Sequence, residues 1–359
     1  MPVMSVLGWV EPTDLGVVAP HEHLLVDASI WWRPPSDPSL RKFAEGPIEL
    51  GIRGLLYRNQ WLNRLNMTLD EEELAIAELR RFHTAGGGTL VDLTPTGIGR
   101  DPDALVRISR ETGVTVVCGT SFYIEEVHPA WVATAATEDL AAHFIRELTI
   151  GIDDTGVRAG IIGELGTSQR VTGSEERVLR AAAVAQQEAG CAINVHVDIF
   201  GRESGRILTI LEDAGADLER VILSHWDHHD LDLDEQRAAL ALGAVVEYDG
   251  FGRESYLDEI GHHWARDTER VAGIAALVRE GYGRQLLLSS DICLKTDLRA
   301  YGGLGYDHVL VSIVPELRRS GIDEQQINQL LVTNPARLLT IPAERNQGQP
   351  TSEHAALPQ

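Results

Sequence analysis

Asp70-Glu-Glu-Glu-Leu-Ala-Ile-Ala-Glu-Leu-Arg-Arg-Phe-His-Thr-Ala-Gly-Gly-Gly-Thr-Leu-Val-Asp-Leu-Thr94 is the stretch whose reading decides the fold. Carboxylates at 70–73 suit a first helical turn, where backbone N–H groups are unpaired and the helix dipole is positive. Apolar residues recur at Leu74, Ile76, Ala77 and Leu79, and Gly86-Gly87-Gly88 is expected to stop the helix. Residues 89–94 then read as a strand, so the unit is a helix feeding a buried strand. The same alternation recurs along the chain. Short apolar runs at 17–26, 89–94, 114–119, 160–165, 192–197, 221–225, 244–248 and 286–291 make eight expected strands. Helices fit between them, for example at 138–148, 174–189, 204–214, 267–279 and 323–331. Eight such units predict an α/β fold of the (β/α)8 TIM-barrel type. An open doubly wound sheet is the competing fold, but no Gly-x-Gly-x-x-Gly follows the first strand to make a dinucleotide site.

With 359 residues, one barrel domain over 1–343 is expected, opening with a hairpin at 1–16 and carrying a long first connection at 28–67. That connection holds Trp31-Trp32, an aromatic pair suited either to lining a pocket or to packing over the barrel mouth. Residues 344–359 turn polar and read as a mobile tail. Acidic residues outnumber basic ones 54 to 31, for a formal charge of −23. A phosphate backbone is therefore an improbable partner, and a small molecule bound in a local pocket is the expected one. The three cysteines, Cys118, Cys191 and Cys293, form no Cys-x-x-Cys pair. They suggest a reducing, cytoplasmic setting. No signal peptide and no run of 18 apolar residues is read, so no membrane partner is expected.

The chemistry begins at His21-Glu22-His23. In a strand alternate side chains share a face, so His21 and His23 project together and Glu22 points the other way. In a (β/α)8 barrel reactive groups gather at the C-terminal strand ends. Besides His21 and His23 on the first strand, that face is expected to carry Glu164 on the fourth, His196 on the fifth, His225 on the sixth and Asp291 on the eighth. Four imidazoles and two carboxylates suit two borderline divalent ions better than one, zinc foremost, with manganese, cobalt or iron as alternatives. A carboxylate can bridge two such ions. A bridging hydroxide is then the nucleophile, and Asp291 beside it is suited to carry the proton to the leaving group.

These pieces resemble the phosphotriesterase family of the amidohydrolase superfamily, over residues 1–341. The matching motifs are His21-Glu-His23, Arg158-Ala-Gly-Ile-Ile-Gly-Glu164-Leu-Gly-Thr-Ser, Asn194-Val-His196, Ser224-His225-Trp-Asp227, and Ser290-Asp291 followed by Tyr301-Gly-Gly-Leu-Gly-Tyr-Asp-His-Val. The resemblance implies a distorted barrel with His21, His23 and Asp291 on the more buried ion, His196 and His225 on the other, and a bridge from the fourth strand. Many members bridge with a carbamylated lysine, but the chain has only Lys42 and Lys295, neither in that strand. Glu164 is the available bridge, similar to the phosphotriesterase homology proteins. Asp249 is followed by Gly250, where organophosphate-hydrolysing members carry a histidine, which lowers the rank of a phosphotriesterase. Tyr123 matches the third-strand tyrosine of the family's lactonases. Arg253 and Arg299 fall after the seventh and eighth strands, where an arginine could clamp an anionic substrate group. His228, His229, His262 and His263 are expected as solvated loop residues, and Cys293 as a small buried residue. The resemblance also implies a homodimer.

The expected activity is hydrolysis of a carboxylic ester, lactone or amide. Organophosphate hydrolysis is the alternative within the family, and a metal-stabilised binding barrel without turnover is the alternative outside enzymes.

Overall fold

The computed structural model describes residues 2–227 and 231–341; the expected tail lies outside these residues. Eight parallel strands form one sheet: β1 Val17–Glu22, β2 Gly87–Asp92, β3 Thr115–Thr120, β4 Ile161–Gly166, β5 Ile193–His196, β6 Val221–Ser224, β7 Val245–Tyr248 and β8 Leu286–Leu288. They neighbour one another in chain order, and surrounding helices complete the (β/α)8 barrel. Alternation along each strand makes two apolar layers. Val91, Val117, Ile161, Ile222, Val245 and Leu287 fill the barrel interior, while Val116, Ile162 and Leu288 face the helices. Among the described residues no helix is long and apolar enough to cross a membrane.

The deciding stretch folds as Glu72–Thr84 helix and Gly87–Asp92 strand, so two of the three glycines begin the strand instead of ending the helix. A Cβ on Gly87 would lie 2.3 Å from the Phe82 ring, and one on Gly88 2.3 Å from the Leu15 carbonyl oxygen. Glycine here permits close approach of strand to helix and hairpin. The helix expected at 323–331 is instead Glu324–Asn328, a π turn Gln329–Thr333 and Asn334–Leu339. Pro335 supplies no N–H and would clash with the carbonyl of Leu331, so the turn widens before it. Val309–Ile313 forms a second π turn just ahead of Pro315 for the same reason.

Strands β1 and β8 meet at the seam of the barrel, and a side chain joins them. Glu22 is buried, and its Oε1 accepts from the Ser290 N–H and the Ser289 hydroxyl, both at 2.8 Å. Its Oε2 accepts from the Ile292 N–H at 2.9 Å, and the Asp291 N–H reaches the His21 carbonyl at 3.2 Å. Burial pushes the Glu22 carboxyl up to about 7 against the pull of these donors. A second staple, farther out, ties the β2 connection to the Thr137–Thr149 helix. Arg100 grips Glu147 at 2.7 and 2.8 Å, and Thr120 donates to the same carboxylate at 2.6 Å.

Glu22→Ala leaves two backbone donors unpaired at the seam, while the Ser289 hydroxyl keeps the His21 carbonyl at 2.8 Å. It is expected to cost about 2–4 kcal/mol in urea unfolding, with little change in m-value; an unchanged midpoint would show that the seam closes without it. Glu147 gives a pH prediction. Burial raises its pKa, but hydrogen bonds from His143 and Arg100 outweigh that and bring it to about 2. A depressed folded-state value means the contribution is complete above the unfolded carboxylate's range and is lost as pH falls towards 2. Acid titration of stability is expected to show a loss on the order of 3 kcal/mol across that window, and Glu147→Gln should abolish that slope.

Candidate metal centre

His21 and His23 stand side by side at the end of β1, ring centroids 5.6 Å apart. His21 Nδ1 lies 3.1 Å from Glu247 Oε2, 3.2 Å from Asp249 Oδ2 and 3.2 Å from the Ser224 hydroxyl. Its Nε2, buried and without a hydrogen-bond partner among the described residues, faces Glu164 Oε2 at 3.6 Å and Asp291 Oδ1 at 3.9 Å. His23 is anchored by Thr94 on Nδ1 at 2.9 Å, and its Nε2 faces Asp291 Oδ1 at 3.2 Å and Glu164 Oε1 at 3.6 Å. On the other side of Glu164, Oε2 lies 3.2 Å from His196 Nδ1 and 3.5 Å from His225 Nε2. Asp249 Oδ1 holds His225 Nδ1 at 3.1 Å.

The six expected ligands thus converge, although the strands end before several of them. His225, after β6, has φ +67°, and Asp291, beyond β8, has φ +45°. Both non-glycine residues sit in the left-handed region, where pairing with a neighbouring strand stops and the side chain turns over the barrel mouth. Three groups of donor atoms lie within 4.8 Å of one another: His21, His23 and Asp291; Glu164, His196 and His225; and His21, His225 and Asp249.

The electrostatics follow from burial and crowding. Burial opposes charge on His21, but Asp249 and Glu247 outweigh it and raise its pKa well above the usual imidazole value. Burial likewise opposes charge on His225, yet Asp249 and Glu164 bring it to about 10. Glu164 falls well below its ordinary value because His196 and His225 outweigh the cost of burial. Asp291 falls too, burial being outweighed by Arg253 and His23. Imidazoles packed against carboxylates in this way are a site built for positive charge. The bare, buried Nε2 of His21, aimed between Glu164 and Asp291, fits a divalent cation, while the Glu247 and Asp249 contacts fix the rings from behind as supports for metal-binding histidines do. Glu247 and Asp249 join the site beyond the residues expected from the sequence, and the alternation of Val245, Glu247 and Asp249 along one strand face is the signal that places them there.

Other expectations divide. Tyr123 reaches the site: its hydroxyl accepts from Trp31 Nε1 at 3.2 Å and lies 3.4 Å from both ring nitrogens of His196. Trp31 stacks between Trp61 and His196, whereas Trp32 packs away beside Arg64. Arg253 is in the site but is not a free clamp. It donates to Asp291 Oδ2 at 3.0 Å, to the Asp291 carbonyl, and to Asp297 at 3.2 Å. Arg299 corrects the expectation outright: its fork closes on Asp307 at 2.8 and 2.9 Å, outside the metal pocket. His262 is buried against Trp264 and Phe200, contrary to the solvated-loop reading, because it pairs in a short hairpin with Leu257. His263 is exposed, and His228 and His229 lie outside the described residues. Cys293 is half-buried on the pocket wall, its thiol raised by burial and the Asp291 charge.

A (β/α)8 barrel with histidines and carboxylates gathered at its strand ends defines a hydrolase barrel equipped to hold metal. The phosphotriesterase family model matches residues 1–339, and the chain belongs to that family. The N-acetyltaurine hydrolase of Homo sapiens is 37% identical over 341 residues, covering 94% of this chain and 97% of that protein. Among solved structures, a resiniferatoxin-binding protein from Rhodobacter sphaeroides superposes with TM-score 0.92 at 38% identity, covering 94% of each chain. The Escherichia coli phosphotriesterase homology protein, with phosphate in its active site, gives 0.76 at 31%, covering 91% of this chain and 99% of that one. A Listeria monocytogenes lactonase gives 0.77 at 25%, covering 95% and 100%. The chain is a hydrolase of this family.

Proposed function

We propose that this chain is a binuclear metal-dependent amidohydrolase acting on a small N-acyl compound, with lactones and esters as related carbonyl substrates. The observation that carries the reading is the placement of Glu164 between the two groups: its Oε1 faces His23, and its Oε2 faces His196 and His225 as well as His21. One carboxylate between two donor groups is the arrangement of a bridge. His21, His23 and Asp291 would hold one ion and His196 and His225 the other, zinc being the favoured metal. Bound there, the ions would supply an acidified water and polarise the scissile carbonyl.

The chain's own groups supply the rest. Asp291 Oδ1 faces the histidines while Arg253 holds Oδ2, so the carboxylate is fixed at the edge of the reacting space. It takes the proton of the attacking water and returns it to the leaving nitrogen. Tyr123, oriented by Trp31, places a hydroxyl beside His196, where it can steer the substrate carbonyl. Trp31, Trp61 and Trp264 give the pocket apolar walls. The N-acetyltaurine hydrolase relative supports amides, and the lactonase neighbour supports lactones. Gly250 after Asp249 keeps phosphotriesters below both. Three free cysteines, two of them buried, support a cytoplasmic setting, and a homodimer is the proposed assembly.

Elemental analysis of protein purified without added bicarbonate is expected to find close to two divalent ions per chain, and Glu164→Ala should lose most of them. One ion or fewer in wild type, unchanged by the variant, would remove the bridge from the account. On a panel of N-acyl amides, lactones, esters and phosphotriesters, the carbonyl substrates are expected to turn over. Asp291→Asn should keep most of the metal and lower kcat by roughly 10²–10⁴; an active variant refutes its role.

A further inference from the structure

The pocket over the metal site holds about 90 Å³ and is bordered by three of the expected ligands, His196, His225 and Asp291. Its walls are aromatic, formed by Trp31, Trp61, Tyr123, Phe200 and Trp264. Apart from the histidines, the side chains that bring a charge to it are Arg253, Asp291 and Asp198. The first two answer each other. Arg253 donates to Asp291 Oδ2 at 3.0 Å and to Asp297 Oδ2 at 3.2 Å, so one guanidinium already faces two carboxylates. Its Nε–H is buried and unpartnered among the described residues, which offers a donor but no further charge. Arg299, the other arginine expected to clamp an anion, is closed on Asp307.

Asp198 is the charge left over. It follows His196 by two residues, is only 8% exposed, and makes no ion pair among the described residues. Its Oδ1 accepts the Phe200 N–H at 2.9 Å and its carbonyl accepts the Gly201 N–H at 3.1 Å. That turn needs one side-chain oxygen, which Asn supplies as well as Asp. The second oxygen, Oδ2, accepts no hydrogen bond among the described residues. The ions proposed for the centre are matched by Glu164, Glu247, Asp249 and Asp291, and Arg253 has Asp297 besides. Asp198 is therefore a carboxylate in excess, and a buried carboxylate is costly until a cation joins it. The aromatic walls suit the same partner, because ring faces attract ammonium groups. Position adds a direction. His196 stands across Glu164 from His23 and Asp291. Asp291 serves the leaving nitrogen on its side, so the carboxylate beyond His196 serves the acyl side.

We propose that Asp198 is a specificity-determining residue that receives the ammonium of an aminoacyl substrate, a small amide whose acyl group carries a protonated amine within a few bonds of the carbonyl. The inference rests on the amide-hydrolase reading, and its test separates the two. Asp198→Asn keeps an oxygen for the Phe200 N–H and removes the charge, so the turn and the proposed salt bridge are tested apart.

The experiment compares three amides of similar length on metal-loaded enzyme at pH 7: glycine N-ethylamide with an ammonium, neutral N-ethylpropanamide, and N-ethylmalonamate with a carboxylate. Wild type should favour the ammonium compound over the neutral one by at least about tenfold in kcat/KM, the scale of one hydrogen bond between charged groups, with the anionic compound poorest. In Asp198→Asn that preference should fall to about twofold or less, through KM and not kcat, and Asp198→Glu should restore part of it. A neutral or anionic preference in wild type, or an ammonium preference that survives in Asp198→Asn, would overturn the assignment while leaving amide hydrolysis intact. A KM increase equal for all three compounds would reduce Asp198 to a turn former and overturn it too. If none of the three is hydrolysed, the amide reading falls by itself. The same compounds are then read as ligands through the melting temperature: a rise with glycine N-ethylamide in wild type that is missing in Asp198→Asn upholds the ammonium site, and no rise, or equal rises in both proteins, overturns it.

Discussion

The Glu22 carboxylate at the barrel seam is the interaction on which the site depends. It lies between two histidines in sequence, yet it faces the neighbouring strand end, where it holds the N–H groups flanking Asp291. By binding the segment that carries Asp291 to the strand that carries His21 and His23, one side chain brings the chain's two ends together across 270 positions. Local propensity cannot make such a contact, because its loop-closure entropy is recovered only once the whole barrel has formed.

The metal centre itself adds nothing to stability until its charges are balanced. Glu164, Glu247, Asp249 and Asp291 are all buried within one shell of the imidazoles. Each would be costly alone. They persist because each has a histidine, an arginine or backbone donors against it, and because Asp227, itself held by Arg270 at 2.8 Å, braces the Asp249 and Gly250 N–H groups from below. This packing fixes ring orientation to within hydrogen-bond geometry, which is what a metal site requires of its supports.

Above the ligands, the first connection and the seventh loop clasp each other. Arg58 forms a two-pronged pair with Asp258 and lies over the Tyr256 ring, while Ser255 holds Gln60. The paired charges are exposed and contribute little energy. Their value is geometric: they keep Gln60 and Trp61 in place along the metal pocket.

The sequence by itself determined the eight strands and the rim on which His21, His23, Glu164, His196, His225 and Asp291 fall, because strand alternation and turn residues are local signals with fixed periods. It also left no lysine in the fourth strand, so that Glu164 is the bridge available to the proposed centre. Only the tertiary structure decided the rest. The left-handed turns at His225 and Asp291 and the Glu22 seam depend on contacts far along the chain. So does the fate of the arginines: Arg253 met Asp291 and Arg299 met Asp307. Partner choice among charged side chains is set by which loops share a face, and a sequence period carries no information about that.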